Sequence, residues 1–183
     1  MLFRSARTLL VVGSQQSNVI LTGFMASGKS SVGRALAHRR SLSFVDTDAM
    51  IVERHGSIEQ IFEHKGEAEF RQMERDVATE LQTSSGLVIA TGGRMMLDEH
   101  CAKILGSTGR IFCLRASIEE IQRRYKADAD GPVRPLLADS DESLLRRLYE
   151  ERANAYSQFE QVETDGKSVE EVVEGIEMML SHG

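Results

Sequence analysis

GFMASGKSS, Gly23 to Ser31, follows the apolar run NVILT and precedes a helical pattern that begins at Lys29. Its first eight residues match G-x-x-x-x-G-K-[ST], and they lie between strand and helix as that motif requires. Gly23 lets the chain turn sharply. Gly28 lets backbone N–H groups approach phosphate oxygens with no side chain in the way, and the helix that follows adds its positive N-terminal end. Lys29 is the expected partner of the β- and γ-phosphates, and the Ser30 hydroxyl is the expected ligand of Mg²⁺. Ala26, Ser27 and Ser31 complete the expected nucleotide-binding set. The motif indicates a nucleoside triphosphate and says nothing of what receives the phosphate.

Outward from this loop, short apolar runs alternate with helical patterns. Asn18–Gly23, SFVDTD, Leu87–Thr91, Arg110–Leu114 and Gln161–Thr164 read as five strands. Near-continuous apolar strands separated by helices indicate an α/β fold with a parallel sheet covered on both faces. Lys29–Arg39 is helical, with Val32, Leu36 and Ala35 at core spacing. A helical insertion, about 49–82, separates the second and third strands. Within it Ser57 and Gln60 have capping-box spacing, Gly66 interrupts, and Phe70, Met73, Val77 and Leu81 recur at helical spacing. Ser168–Leu180 is a further amphipathic helix. Residues 18–183 read as a single domain, and residues 1–17, acid-free and Arg- and Ser-containing, as a disordered extension with a faint likeness to a transit peptide.

Bulk composition narrows the field. The chain has 183 residues, 41% hydrophobic and 27% charged, and its apolar runs are too short to span a bilayer. Net charge is −6, but no acidic residue precedes Asp46, which leaves 16 basic against 28 acidic residues in the remainder. An acidic whole argues against nucleic-acid binding, and nothing indicates a membrane partner. Cys101 and Cys113 read as reduced packing residues of a cytoplasmic protein. No large apolar stripe stands out, so a monomer is expected. A guanine-reading N-K-x-D segment is absent, which points away from GTPases and toward small-molecule kinases.

The acceptor side rests on other residues. In FVDTD, Asp46 and Asp48 stand two apart at the end of a strand, so alternation would turn both toward one side, beside the phosphate loop. One carboxylate suits Mg²⁺ through water, and the other suits the acceptor's hydroxyl. The bland alternative is a turn in which Asp48 caps the following helix. Arg71, in GEAEFRQME, has Glu74 close by to hold its guanidinium. Arg152 lies near the apolar side of the helix Glu142–Tyr156. Thr91–Gly93 closes the third strand, where the bare amides of Gly92 and Gly93 can meet an anion. The loop DADGPVRPLLADSDES, with Pro132 and Pro135 around Arg134, reads as a mobile cover, about 127–140, that carries a cation over the transferred phosphate.

Together these segments resemble the shikimate kinase family, from Asn18 to about Leu180. The resemblance rests on GFMASGKSSVGRALA, FVDTDAMIVERHGSIEQIFEHKGEAEFRQME, IATGG, RPLL and YEERANAY. It implies a five-stranded parallel sheet of the nucleoside-monophosphate-kinase type. It also implies ATP as co-substrate with Mg²⁺, and phosphorylation of shikimate to shikimate 3-phosphate in aromatic amino-acid biosynthesis. By motif position it assigns Ser30 and Asp46 to Mg²⁺ and Asp48 to the ring hydroxyls and the attacking oxygen. Arg71, Arg152 and the Gly93 amide would receive the carboxylate. Arg134 becomes the lid cation, and Arg124 the residue that stacks on adenine. Three departures stand out: Arg94 where a third glycine is usual, Ala26 in place of a frequent loop glycine, and no proline after Arg152. Arg94 either narrows the acid pocket or supplies a further cation. A related carbohydrate-acid kinase, such as a gluconate kinase, and a non-catalytic nucleotide-binding module are the rival readings.

Overall fold

A computed structural model describes residues 17–127 and 142–182. The expected cover at about 127–140, with Arg134, lies outside the described residues apart from Ala127, as does the extension 1–17 apart from Ser17.

Five strands, β1 (Asn18–Thr22), β2 (Ser43–Asp46), β3 (Leu87–Ala90), β4 (Gly109–Arg115) and β5 (Glu160–Glu163), form one all-parallel sheet in the order β2-β3-β1-β4-β5. β1 is buried along its whole length, because both faces of the sheet are covered. Val19 and Leu21 face one layer, with Val32 and Leu36 of α1 (Lys29–Arg40) and Val172, Val173 and Ile176 of α7 (Val169–Ser181). Ile20 faces the other, with Ile51 of α2 (Thr47–His55), and Phe70, Met73 and Val77 of α3 (Ile58–Leu81). The chain leaves β1 for β2 on one side and later returns past it to β4 on the other. That reversal opens a crevice beyond the carboxyl end of β1, which is where such sheets bind ligands.

The residual elements are a 3₁₀ turn at Met95–Leu97, α4 (Glu99–Gly106), α5 (Ile118–Ala127) and α6 (Glu142–Tyr156). α3 begins at Ser57, whose hydroxyl accepts from the Gln60 N–H, and it kinks at Gly66, where φ is 82°. Ser168 and Glu171 close a reciprocal capping box on α7.

One expectation is corrected. β2 stops at Asp46 and the rest of FVDTD is already helical. Asp46, not Asp48, is the cap: its Oδ1 accepts from the N–H groups of Asp48 (3.1 Å) and Ala49 (3.3 Å). An aspartate satisfies the open donors of a helix start better than it serves a strand interior. Asp46 and Asp48 are therefore related by a helix start, not by strand alternation.

Candidate active site

The phosphate loop joins β1 to α1 under tight constraint. At Gly23, where φ is 133°, a Cβ would lie 2.4 Å from the Leu114 carbonyl oxygen, so only glycine fits. Gly28 precedes α1 at φ 99°, and no side chain caps the helix. The uncapped N–H groups of a twelve-residue helix face the loop mouth, a ready anion site. Lys29 Nζ donates back across its own loop to the carbonyls of Gly23 (3.0 Å) and Phe24 (2.9 Å), which keeps the ammonium at that mouth. Ala26 sits at φ 56°, a left-handed conformation that costs a non-glycine residue about 1–2 kcal/mol. Alanine at 26 is thus held at a backbone cost.

Ser30 Oγ donates to Asp46 Oδ2 at 2.8 Å, so the first helix of the loop and the end of β2 present a hydroxyl and a carboxylate side by side. Two hard oxygen donors next to a phosphate site suit Mg²⁺, which binds through one or two protein groups plus phosphates and water. Among the described residues no cluster of three or more His, Cys, Asp or Glu side chains is arranged for a metal, and such a site needs none.

Asp48 lies one helical residue beyond Thr47, whose Oγ accepts from the Gly92 N–H at 2.9 Å. This bond pins the end of β3 to the start of α2. A Cβ on Gly92 would lie 2.4 Å from Asp48 Oδ1 and 3.0 Å from Glu74 Oε1, so two carboxylates crowd that glycine. Glu74 is only 3% exposed and accepts from Arg71 Nη1 at 2.6 Å. Burial pushes its pKa up and the charge of Asp48 adds to this, while Arg71 opposes both. For Arg71, burial lowers the pKa, but Glu74 and Glu67 outweigh it and the net shift is upward.

Three guanidiniums share this neighbourhood. Arg152 stands with its Cζ 5.1 Å from the centre of the Phe24 ring, a phosphate-loop side chain. Burial lowers the Arg152 pKa, and the positive charges of Arg94 and Arg71 lower it further, against the pull of Tyr156. Arg94 Nη1 donates to Glu67 Oε1 at 2.6 Å, and the same oxygen accepts from Arg71 Nε (3.2 Å) and Nη2 (3.1 Å). Glu67 and Glu74 offset Arg71 and Arg94, while the positive charges of those two bear on Arg152, so an anion beside Arg152 would be favoured. Tyr156, one turn beyond Arg152, donates its hydroxyl to the Gly93 carbonyl, which fixes the backbone at the end of TGG. Burial raises the Tyr156 pKa and keeps it a donor.

Arg124 borders the other side of the loop. It bonds the Ser27 carbonyl (3.0 Å), the Thr164 carbonyl (2.8 Å) and Glu120 (2.7 Å). Its guanidinium is thereby locked beside the phosphate loop. Of the expected site residues, the structure gathers Asp48, Arg71, Gly92, Gly93 and Arg152, sets Arg152 against Phe24 of the phosphate loop, and joins Ser30 of that loop to Asp46. Arg134 lies outside the described residues. Glu67, Thr47, Phe24 and Tyr156 escaped the sequence reading. The i,i+4 spacings Glu67/Arg71 and Arg152/Tyr156 were the signals available for two of them.

A G-x-x-x-x-G-K-[ST] loop between β1 and α1 of a 2-3-1-4-5 parallel sheet places the chain among the P-loop kinases of small molecules, with the nucleoside-monophosphate-kinase-like fold. Residues 25–181 match the family model described as shikimate kinase. The chain belongs to the shikimate kinase family. A shikimate kinase of Geobacter sulfurreducens is 43% identical over 164 residues, covering 88% of this chain and 90% of its own. One from Thermus thermophilus is 43% identical over 161 residues, 86% of each chain. The structure of shikimate kinase from Acinetobacter baumannii in complex with shikimate superposes with a TM-score of 0.82 at 32% identity, covering 91% of this chain and 94% of that one.

Proposed function

We propose that the chain phosphorylates the 3-hydroxyl of shikimate with ATP, giving shikimate 3-phosphate and ADP, and that the two walls of the crevice divide the work. The observation that carries this reading is the convergence of Arg71, Arg152 and Asp48 beside the phosphate loop. Planar guanidinium forks suit a carboxylate, and a neighbouring carboxylate suits ring hydroxyls. With the acid's carboxylate on Arg71, Arg152 and the Gly93 amide, its hydroxyls turn toward Asp48. Asp48 accepts a hydrogen bond from the attacking hydroxyl and orients its oxygen toward the γ-phosphorus. A new P–O bond forms there while the bond from phosphorus to the bridging oxygen of ADP breaks, and the hydroxyl proton leaves toward Asp48.

Lys29 neutralises the β- and γ-phosphates, and Arg134 does so from the cover. Gly23, Ala26, Ser27, Gly28 and Ser31 line the phosphates, and Arg124 flanks the base. Ser30 and Asp46 would hold Mg²⁺, and the ion would supply neutralisation of phosphate charge. Phosphoryl transfer depends on positioning and charge neutralisation more than on a strong base, so Lys29 and Arg134 contribute more than proton removal by Asp48. The same reading takes the chain as a cytoplasmic monomer. In support, both cysteines are free and buried, and the large apolar side chains exposed among the described residues, Val52, Phe62 and Met178, are few. No described helix is long and apolar enough to cross a membrane.

ADP release from Mg-ATP, measured with shikimate, quinate, gluconate and no acceptor, tests the reading. Turnover that depends on shikimate supports it. Preference for another acid moves the acceptor, and ATP binding without turnover on any acid removes the activity.

A further inference from the structure

Arg94 directly follows Thr91–Gly93, and its side chain makes one short contact, to Glu67, that reaches Arg71 indirectly. We infer that Arg94 is a positioning residue for the acid acceptor: it draws the Glu67 carboxylate off Arg71 as the acid's carboxylate arrives. The inference rests on the acceptor site proposed above.

Glu67 Oε1 lies against both Nε and Nη2 of Arg71, at 3.2 and 3.1 Å. Those two groups form the edge of a guanidinium that pairs a carboxylate bidentately. Glu67 therefore occupies the edge that an incoming acid needs. Arg71 cannot offer itself freely by rotating, because Nη1 is held at 2.6 Å by Glu74, which is buried. An acid that displaces Glu67 from this edge would leave two carboxylates side by side unless Glu67 has another partner. Arg94 is that partner. Its Nη1 stands 2.6 Å from the same Oε1, closer than either nitrogen of Arg71. The side chains of Arg94 and Glu67 are about half exposed, 47% and 51%, so the pair has room to swing outward together. The backbone that carries Arg94 is steadied by the Tyr156 bond to the Gly93 carbonyl. A glycine at 94 would offer Glu67 nothing.

Because Arg94 acts before the reaction and through Glu67, its loss changes acid binding and leaves the transfer step alone. An exposed ion pair sets the scale: the KM for shikimate rises about two- to fivefold, equivalent to about 0.4–1 kcal/mol at 1.4 kcal/mol per tenfold. The experiment is steady-state ADP release by the full chain at saturating Mg-ATP, with shikimate varied, for the unaltered chain, Arg94→Ala, Glu67→Gln and the double variant. The expected result is a raised shikimate KM in Arg94→Ala at unchanged kcat and unchanged KM for ATP. Adding Glu67→Gln should return the KM to the unaltered value or below, since an uncharged amide releases the Arg71 edge. Should Arg94→Ala lower the melting temperature, Arg94→Gln takes its place with the same rise and the same rescue. A KM that stays level or falls on removal of Arg94 overturns the inference, because the side chain then only fills space. Failure of Glu67→Gln to rescue also overturns it, because Arg94 then binds the acid directly. The unaltered chain is the control that separates the two levels. Absence of shikimate turnover there removes the proposed function and this inference with it, whereas normal turnover with an unmoved KM removes this inference alone.

Discussion

Gly92→Ala places one carbon where two carboxylates already meet. Its Cβ would stand 2.4 Å from Asp48 Oδ1 and 3.0 Å from Glu74 Oε1. Gly92 is not among the glycines with positive φ, so the backbone accepts alanine and the cost is steric. Ordinary contact begins at 3.4 Å, so Asp48 must withdraw by about 1 Å. Glu74 has little room to yield, because it is buried and held by Arg71. A displacement of about 1 Å at a group that orients a reactant lowers the rate by about a hundredfold, or about 2.7 kcal/mol. Overpacking itself should cost about 1–3 kcal/mol of stability. The phosphate loop keeps its contacts, so the KM for ATP should hardly move. Steady-state ADP release with shikimate and with ATP varied, beside a melting curve, reads all of these. A folded Gly92→Ala variant whose kcat/KM for shikimate stays within about threefold of the unaltered chain would refute the reasoning, since a loss of about 0.7 kcal/mol or less means Asp48 need not sit where it does.

The other expectations are simpler. Lys29→Ala should depress kcat by about 10²–10³, the loss expected for one electrostatic donor in the transition state, while Arg71→Ala should chiefly raise the shikimate KM, by about 10–100-fold. Equal losses of nucleotide affinity in both variants would contradict this division. Ala26→Gly should leave stability unchanged or raise it by up to about 1 kcal/mol, because relief of the left-handed alanine is offset by a freer unfolded chain; a measured loss above that would oppose it. Burial pushes the thiol pKa values of Cys101 and Cys113 up to about 12 and about 11, so at pH 8 both are protonated and out of reach. Alkylation should be absent in the folded chain and rapid in denaturant; labelling of either thiol without unfolding would count against the core described.

Much of this architecture is legible in the residues because local and global signals agree. The phosphate loop carries its own backbone demands in Gly23 and Gly28, and apolar runs such as NVILT have no other comfortable place than a sheet covered twice. The kink at Gly66 and the Glu74 support of Arg71 follow from one residue's conformational freedom and from helical spacing. DTD was harder. A strand and a capped helix start both put two aspartates near one edge, and only the bonds from Asp46 to the N–H groups of Asp48 and Ala49 tell them apart. α4 and α5 did not stand out in sequence, being eight and ten residues long. Glu67 was hidden for another reason: its partner Arg94 is 27 residues away and meets it only once the sheet brings the end of β3 beside α3. The same holds for Tyr156, which reaches the Gly93 carbonyl across 63 residues.

The central claim is that the acid's carboxylate and the nucleotide's phosphates are received by separate cations on facing walls of one crevice. The position of the carboxylate in a crystal of the chain with ADP and shikimate tests it most directly. That carboxylate is expected within hydrogen-bond distance of both Arg71 and Arg152, about 2.7–3.2 Å, with Glu67 turned onto Arg94 and the ring hydroxyls toward Asp48. Shikimate bound elsewhere, or an Arg71 edge still closed by Glu67 with the acid in place, would contradict it.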